Sequence, residues 1–178
     1  MKKYKKSIQF LIRFFITYFI LFIVYAIYLQ KAQKKDSLFK CATITTSVAK
    51  QTAGILNYIG YDANFEQHNK ELSIKLLINN IYTARVIEGC NSISLIILFI
   101  AFIVGFSGSL KATVLYAIFG SLVIYFINLF RIVFLTIMLS NYPSQQYFLH
   151  SLLFPAIIYG TIFLLWIIWV HKFSHHKK

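Results

Sequence analysis

Three residues of this 178-residue chain are of types that together can break and remake an acyl bond: Cys90, Arg131 and His150. A cysteine attacks as its thiolate, and a nearby cation favours that form. An imidazole can take the thiol proton and return it to a leaving amine. A guanidinium, permanently charged and rich in N–H donors, can hold an oxyanion or a substrate carboxylate. Asn128 precedes Arg131 by one helical turn and shares its face. There it can hold the guanidinium or bind a neighbouring helix. Glu88 stands two residues before Cys90, so on a regular helix it points elsewhere. It is expected only in support, paired with Arg85 or Arg131 or orienting His150. The second of the two cysteines is Cys41. Two free thiols are expected, since a disulfide requires both to lie outside the cytoplasm and to meet.

These residues lie on or beside long apolar runs. The chain is 58% hydrophobic, with 18 phenylalanines and 12 tyrosines, and its mean hydropathy is +0.68. That composition indicates a membrane protein. Against 5 acidic residues stand 18 lysines and arginines, a formal charge of +13. They flank the apolar segments as topology determinants and lipid anchors do. No zinc-finger spacing, helix-turn-helix or aromatic RNA-binding motif accompanies them, so membrane lipids and not nucleic acid are the expected partner.

Four spans are expected. The first runs from about Ile8 to Leu29, with Arg13 snorkelling to the surface. It exceeds a signal-peptide core and lacks a small-residue cleavage site, so it reads as retained. The others run from about Ile93 to Phe106, Ala112 to Leu139 and Leu152 to Val170. The fold class is therefore all-α: a polytopic membrane helix bundle of about four transmembrane helices in a single integral membrane domain, residues 1–178. Residues 31–88 form a small extracytoplasmic or interfacial region, and residues 88–170 hold the core spans. The region 31–88 reads as a helix, a turn at Gly60 and a partly strand-like stretch, packed over the spans. Ile55, Leu56, Tyr58 and Ile59 could form an apolar face lying on the membrane.

Charge sets the orientation. An inner N-terminus gathers Lys2, Lys3, Lys5, Lys6, Arg13, Lys111, Lys172, Lys177 and Lys178 in the cytoplasm, against Lys31, Lys34 and Lys35 outside. Both termini are then cytoplasmic. Cys90 stands at the outer start of the second span and His150 at the outer start of the fourth. Arg131, nineteen residues beyond Ala112 at about 1.5 Å per residue, lies nearly one hydrocarbon thickness from the inner turn. All three converge on the outer level. His171, His175 and His176 read as part of a basic anchor, since no cysteine or carboxylate accompanies them. Neither a metal nor a cofactor is expected.

The stretches "EGCNSISLIILF", "FINLFRIVFLTI" and "YFLHSLLFPAIIYG" resemble the exosortase/archaeosortase family, and especially the short exosortase F type of flavobacteria. The resemblance covers roughly Arg85 to Gly160. It implies that Cys90, Arg131 and His150 form the catalytic set, with Asn128 as the asparagine preceding the arginine. Many family members carry a small residue, often glycine, two places after the cysteine; here it is Ser92. The chain also has fewer spans than a typical member. The resemblance further implies a membrane cysteine peptidase or transpeptidase acting on the C-terminal sorting signals of secreted proteins. Each such signal is a short motif, a transmembrane helix and a basic tail. Cleavage would occur at the outer face of the cytoplasmic (inner) membrane, with possible transfer to a surface-anchoring acceptor.

Other classes are weaker. A non-enzymatic assembly or scaffold protein would need no reactive thiol. A transporter would space its polar groups through the membrane and often carry an internal repeat. A quinone-linked redox enzyme would need a paired-cysteine motif.

Overall fold

The computed structural model describes residues 2–33, 40–106, 108–142 and 152–173. The elements run α1 (Lys2–Gln33), α2 (Thr43–Ile59), β1 (Ala63–Gln67), β2 (Ser73–Ile78), β3 (Ile81–Ile87), a 3-10 turn (Glu88–Asn91), α3 (Ile93–Gly105), α4 (Leu110–Asn141) and α5 (Phe154–Lys172).

Three of these helices, α1, α4 and α5, are long and apolar enough to cross a membrane, and the protein is a multi-pass membrane protein. The expected second span is α3, which has only 13 residues. At about 1.5 Å per residue it reaches about 20 Å, short of the roughly 30 Å hydrocarbon core. Conversely, the 32 residues of α4 extend about 48 Å. That exceeds the hydrocarbon thickness.

The all-α expectation widens to include a three-stranded antiparallel sheet in the order β1-β2-β3. The cause is local. Asn79 and Asn80 separate β2 from β3 with φ of 53° and 61°, and a tight two-residue hairpin needs positive φ at both places, which asparagine tolerates. In β2 the side chains of Ile74, Leu76 and Ile78 are buried, the alternation of a half-buried strand. Gly60, at φ 104°, closes α2 in the left-handed region and donates to the carbonyls of Asn57 and Leu56.

Two cores follow. Within the membrane part, Phe99 and Ile103 of α3 pack with Tyr116 and Ile124 of α4 and Ile158, Ile162, Leu165 and Trp169 of α5. A Cβ on Gly120 would stand 2.2 Å from Phe99 Cζ, so only glycine lets α3 and α4 meet there. Above it, Val48 and Ala49 of α2, Ile74 and Leu76 of β2, Ala84 and Val86 of β3, and Leu129 and Ile132 of α4 form a second core. Residues 40–88 thus pack on the C-terminal half of α4. Their expected membrane-facing stripe divides: Tyr58 and Ile59 are exposed, but Leu56 is fully buried against Ala53, Ala63 and Val133. The sheet and α4 cover a helix face that could otherwise have lain on lipid.

Candidate active site

Cys90 and Arg131 line one cleft of about 340 Å³. Its walls are β3, from Tyr82 to Arg85, and a stripe of α4 carrying Arg131, Ile132, Leu135, Thr136 and Leu139. The 3-10 turn that brings Cys90 there follows β3 directly. Two residues 41 positions apart in sequence therefore border one space because β3 and α4 pack side by side.

Local hydrogen bonds fix the turn. Asn128, 1% exposed, donates through Nδ2 to the Cys90 carbonyl at 2.7 Å. It neither holds the guanidinium nor links two spans; it ties α4 to the residue bearing the thiol. Asn91, equally buried, donates to Tyr25 Oη at 2.8 Å and to Thr45 Oγ1 at 3.2 Å, and accepts from the Ile93 amide at 3.1 Å. It joins α1, α2 and the start of α3 at one point. Ser92 adopts φ 64°, the left-handed region that glycine occupies freely. Serine adopts it here with its hydroxyl donating to the Asn91 carbonyl at 2.6 Å.

Glu88 pairs with neither Arg85 nor Arg131, and its expected part in orienting His150 falls outside the described residues. Its carboxylate accepts from the Ala42 amide at 2.6 Å and from the Thr45 hydroxyl, so it caps the start of α2 from outside that helix. Arg85 instead pairs with Glu71. Arg131 keeps a buried Nε with no hydrogen-bond partner among the described residues, next to the cleft that Cys90 shares. His150 lies outside the described residues, as do His175 and His176, while His171 falls in the last turn of α5.

The two thiols are free and differ in setting. Cys90 is half-buried and borders the cleft. Cys41 is buried, with its Sγ 3.6 Å from Gln67 Nε2. Burial pushes the Cys41 thiol above its ordinary value, and the nearby Glu88 charge adds to this while the Gln67 amide opposes it. Cys41 is therefore held as the inert neutral thiol.

Sequence reasoning missed Asn91 and its partners Thr45 and Tyr25. An asparagine just before the apolar run "ISLIILFI" is a helix-start signal, and that signal was available. Its cross-links to α1 and α2 were not, because they join positions 66 and 46 residues away.

Comparison with known proteins supplies the frame for this cleft. Among curated proteins, the chain is 24% identical over 190 residues to "Probable archaeosortase E" of Methanocaldococcus jannaschii, covering 98% of this chain and 85% of that protein. No solved structure matches significantly. Residues 8–171, which include most of α1, the cleft and nearly all of α5, match the family described as Transmembrane exosortase, and the chain belongs to that family.

Proposed function

We propose that this protein is a membrane cysteine peptidase or transpeptidase, of the short exosortase F type, that cleaves C-terminal sorting signals of secreted proteins at the outer face of the cytoplasmic membrane. The observation that carries this reading is the cleft that Cys90 and Arg131 line together. Residues 31–88 then form the extracytoplasmic cover, residues 88–170 the catalytic spans, and both termini lie in the cytoplasm.

In this reading Cys90 Sγ passes its proton to His150 and attacks the scissile carbonyl carbon. A C–S bond forms, and Arg131 holds the resulting oxyanion. The C–N bond then breaks as His150 returns the proton to the leaving amine. The thioester on Cys90 is attacked by water or by an acceptor amine, which restores the thiol. Asn128 positions the Cys90 backbone, and Glu88 acts at a distance by anchoring α2.

The test compares host cells with no second family member, expressing wild type or Cys90→Ala. Intact mass and peptide mapping of surface-directed proteins should show a defined C-terminal cleavage lost in the variant at equal protein level. Unchanged processing would overturn the peptidase reading in favour of a scaffold.

A further inference from the structure

β3 is the last strand of the sheet, with β2 on one side and no strand on the other among the described residues. Four successive residues of it, Tyr82, Thr83, Ala84 and Arg85, border the cleft. Successive side chains of a strand point to opposite faces. Ala84 is buried in the core beneath the sheet, whereas Arg85 is exposed, yet both border the same space. A cleft that meets four residues in a row, from both faces, meets the strand's edge. Such an edge offers main-chain N–H and C=O groups at the two-residue spacing of a further strand.

The rest of the cleft suits the same occupant. Facing the edge are Ile132, Leu135 and Leu139 of α4, an apolar wall for side chains. The charged lining residues are Arg85 and Arg131, with no carboxylate among them. Arg131 borders the same space, where a guanidinium can donate to a peptide carbonyl. At about 3.4 Å per residue the bordering stretch of β3 is about 14 Å long, room for about four extended residues. The strand also leads straight into the turn that bears Cys90.

We infer that the free edge of β3 is the substrate subsite, where an extended polypeptide segment adds as a fourth strand between β3 and α4 and presents its scissile carbonyl at Cys90. This rests on the reading of Cys90 as nucleophile. It makes recognition largely main-chain, with side-chain selection left to the α4 wall.

The test uses the full chain with Cys90→Ala in host membranes, carrying a photo-crosslinking amino acid at Thr83 or at Arg85. Phe119, exposed on α4, is the control site. Captured segments are identified by mass spectrometry. Both cleft sites should capture the same segment, at attachment points about two residues apart. Two residues of β3 span about 7 Å, and a paired strand covers that distance in two residues. A docked helix would need four to five, and that offset would overturn the inference. Capture at unrelated points, capture matching that from Phe119, or no capture from a chain with the parent's thermal unfolding midpoint would also overturn it. Should the Thr83 variant lose that midpoint, a probe at the exposed Tyr82 replaces it, with an expected offset of about three. Cys90-dependent cleavage without this register sinks the strand pairing alone. Capture at the two-residue offset, with processing unchanged by Cys90→Ala, sinks the peptidase and keeps the strand site.

Discussion

At the scale of residues, the cleft depends on what holds the Cys90 backbone. Asn128 is buried, and its side chain donates to the Cys90 carbonyl. Asn128→Ala leaves that carbonyl unpartnered, at a cost of about 1–3 kcal/mol. It should lower C-terminal processing at least tenfold while Cys90 still reacts with N-ethylmaleimide in the folded chain. Unchanged processing at normal protein level would deny it a positioning role. The two thiols supply a second contrast. In detergent at pH 8, N-ethylmaleimide should modify Cys90 and spare Cys41 until the protein unfolds. Burial raises the Cys41 pKa in the fold, so the protonated thiol is favoured there. Its contribution to stability is complete below about pH 8.5, the unfolded value, and is lost as pH rises through the folded value. Between pH 7 and 10 the denaturant midpoint of wild type should therefore fall more steeply than that of Cys41→Ala; parallel curves would refute this. Cys90 and Arg131 were legible in the sequence as a candidate pair, and they border one cleft. The partners of Glu88 were not, because its acceptor role toward Ala42 and Thr45 arises only once α2 is folded back over the turn.

At the scale of elements, helix positions followed directly from hydropathy. The expected spans near residues 93–106, 112–139 and 152–170 became α3, α4 and α5 with ends shifted by a few residues. The sheet was harder to read, since short apolar runs fit strand and buried helix alike. "INNI" between two such runs was the decisive hairpin signal. Close approach of elements was invisible in the sequence, and Gly120 shows why: an added Cβ meets the Phe99 ring, a contact between two helices. Phe99 is fully buried, so its ring has little room to yield. Gly120→Ala should cost about 1–3 kcal/mol by overpacking, read as a lower thermal midpoint. Adding Phe99→Leu should recover part of the loss, because contacting sites couple. A double variant no better than the sum of the two singles would show that the glycine serves something other than this crossing.

For the whole molecule, the geometry ties function to sidedness. The sheet, α2, Cys90 and the Arg131 end of α4 form one layer, while Lys111 begins α4 at its opposite end. About 48 Å of helix separates the ends of α4, more than the hydrocarbon thickness, so the two ends lie on opposite sides of the membrane. A peptidase for secreted proteins needs the sheet layer outside, and the lysine-rich N-terminus argues for that arrangement. In a Cys90→Ala background, with Cys41 buried, single cysteines at Tyr58 and Lys111 report the two faces. Tyr58 is 94% exposed on α2, and Lys111 is exposed at the start of α4. A membrane-impermeant maleimide added to intact spheroplasts should label Tyr58→Cys at once and Lys111→Cys only after permeabilisation. The reverse pattern would place the cleft in the cytoplasm, where a translocated sorting signal never presents its scissile bond, and the sorting role would fall even if Cys90 proved reactive.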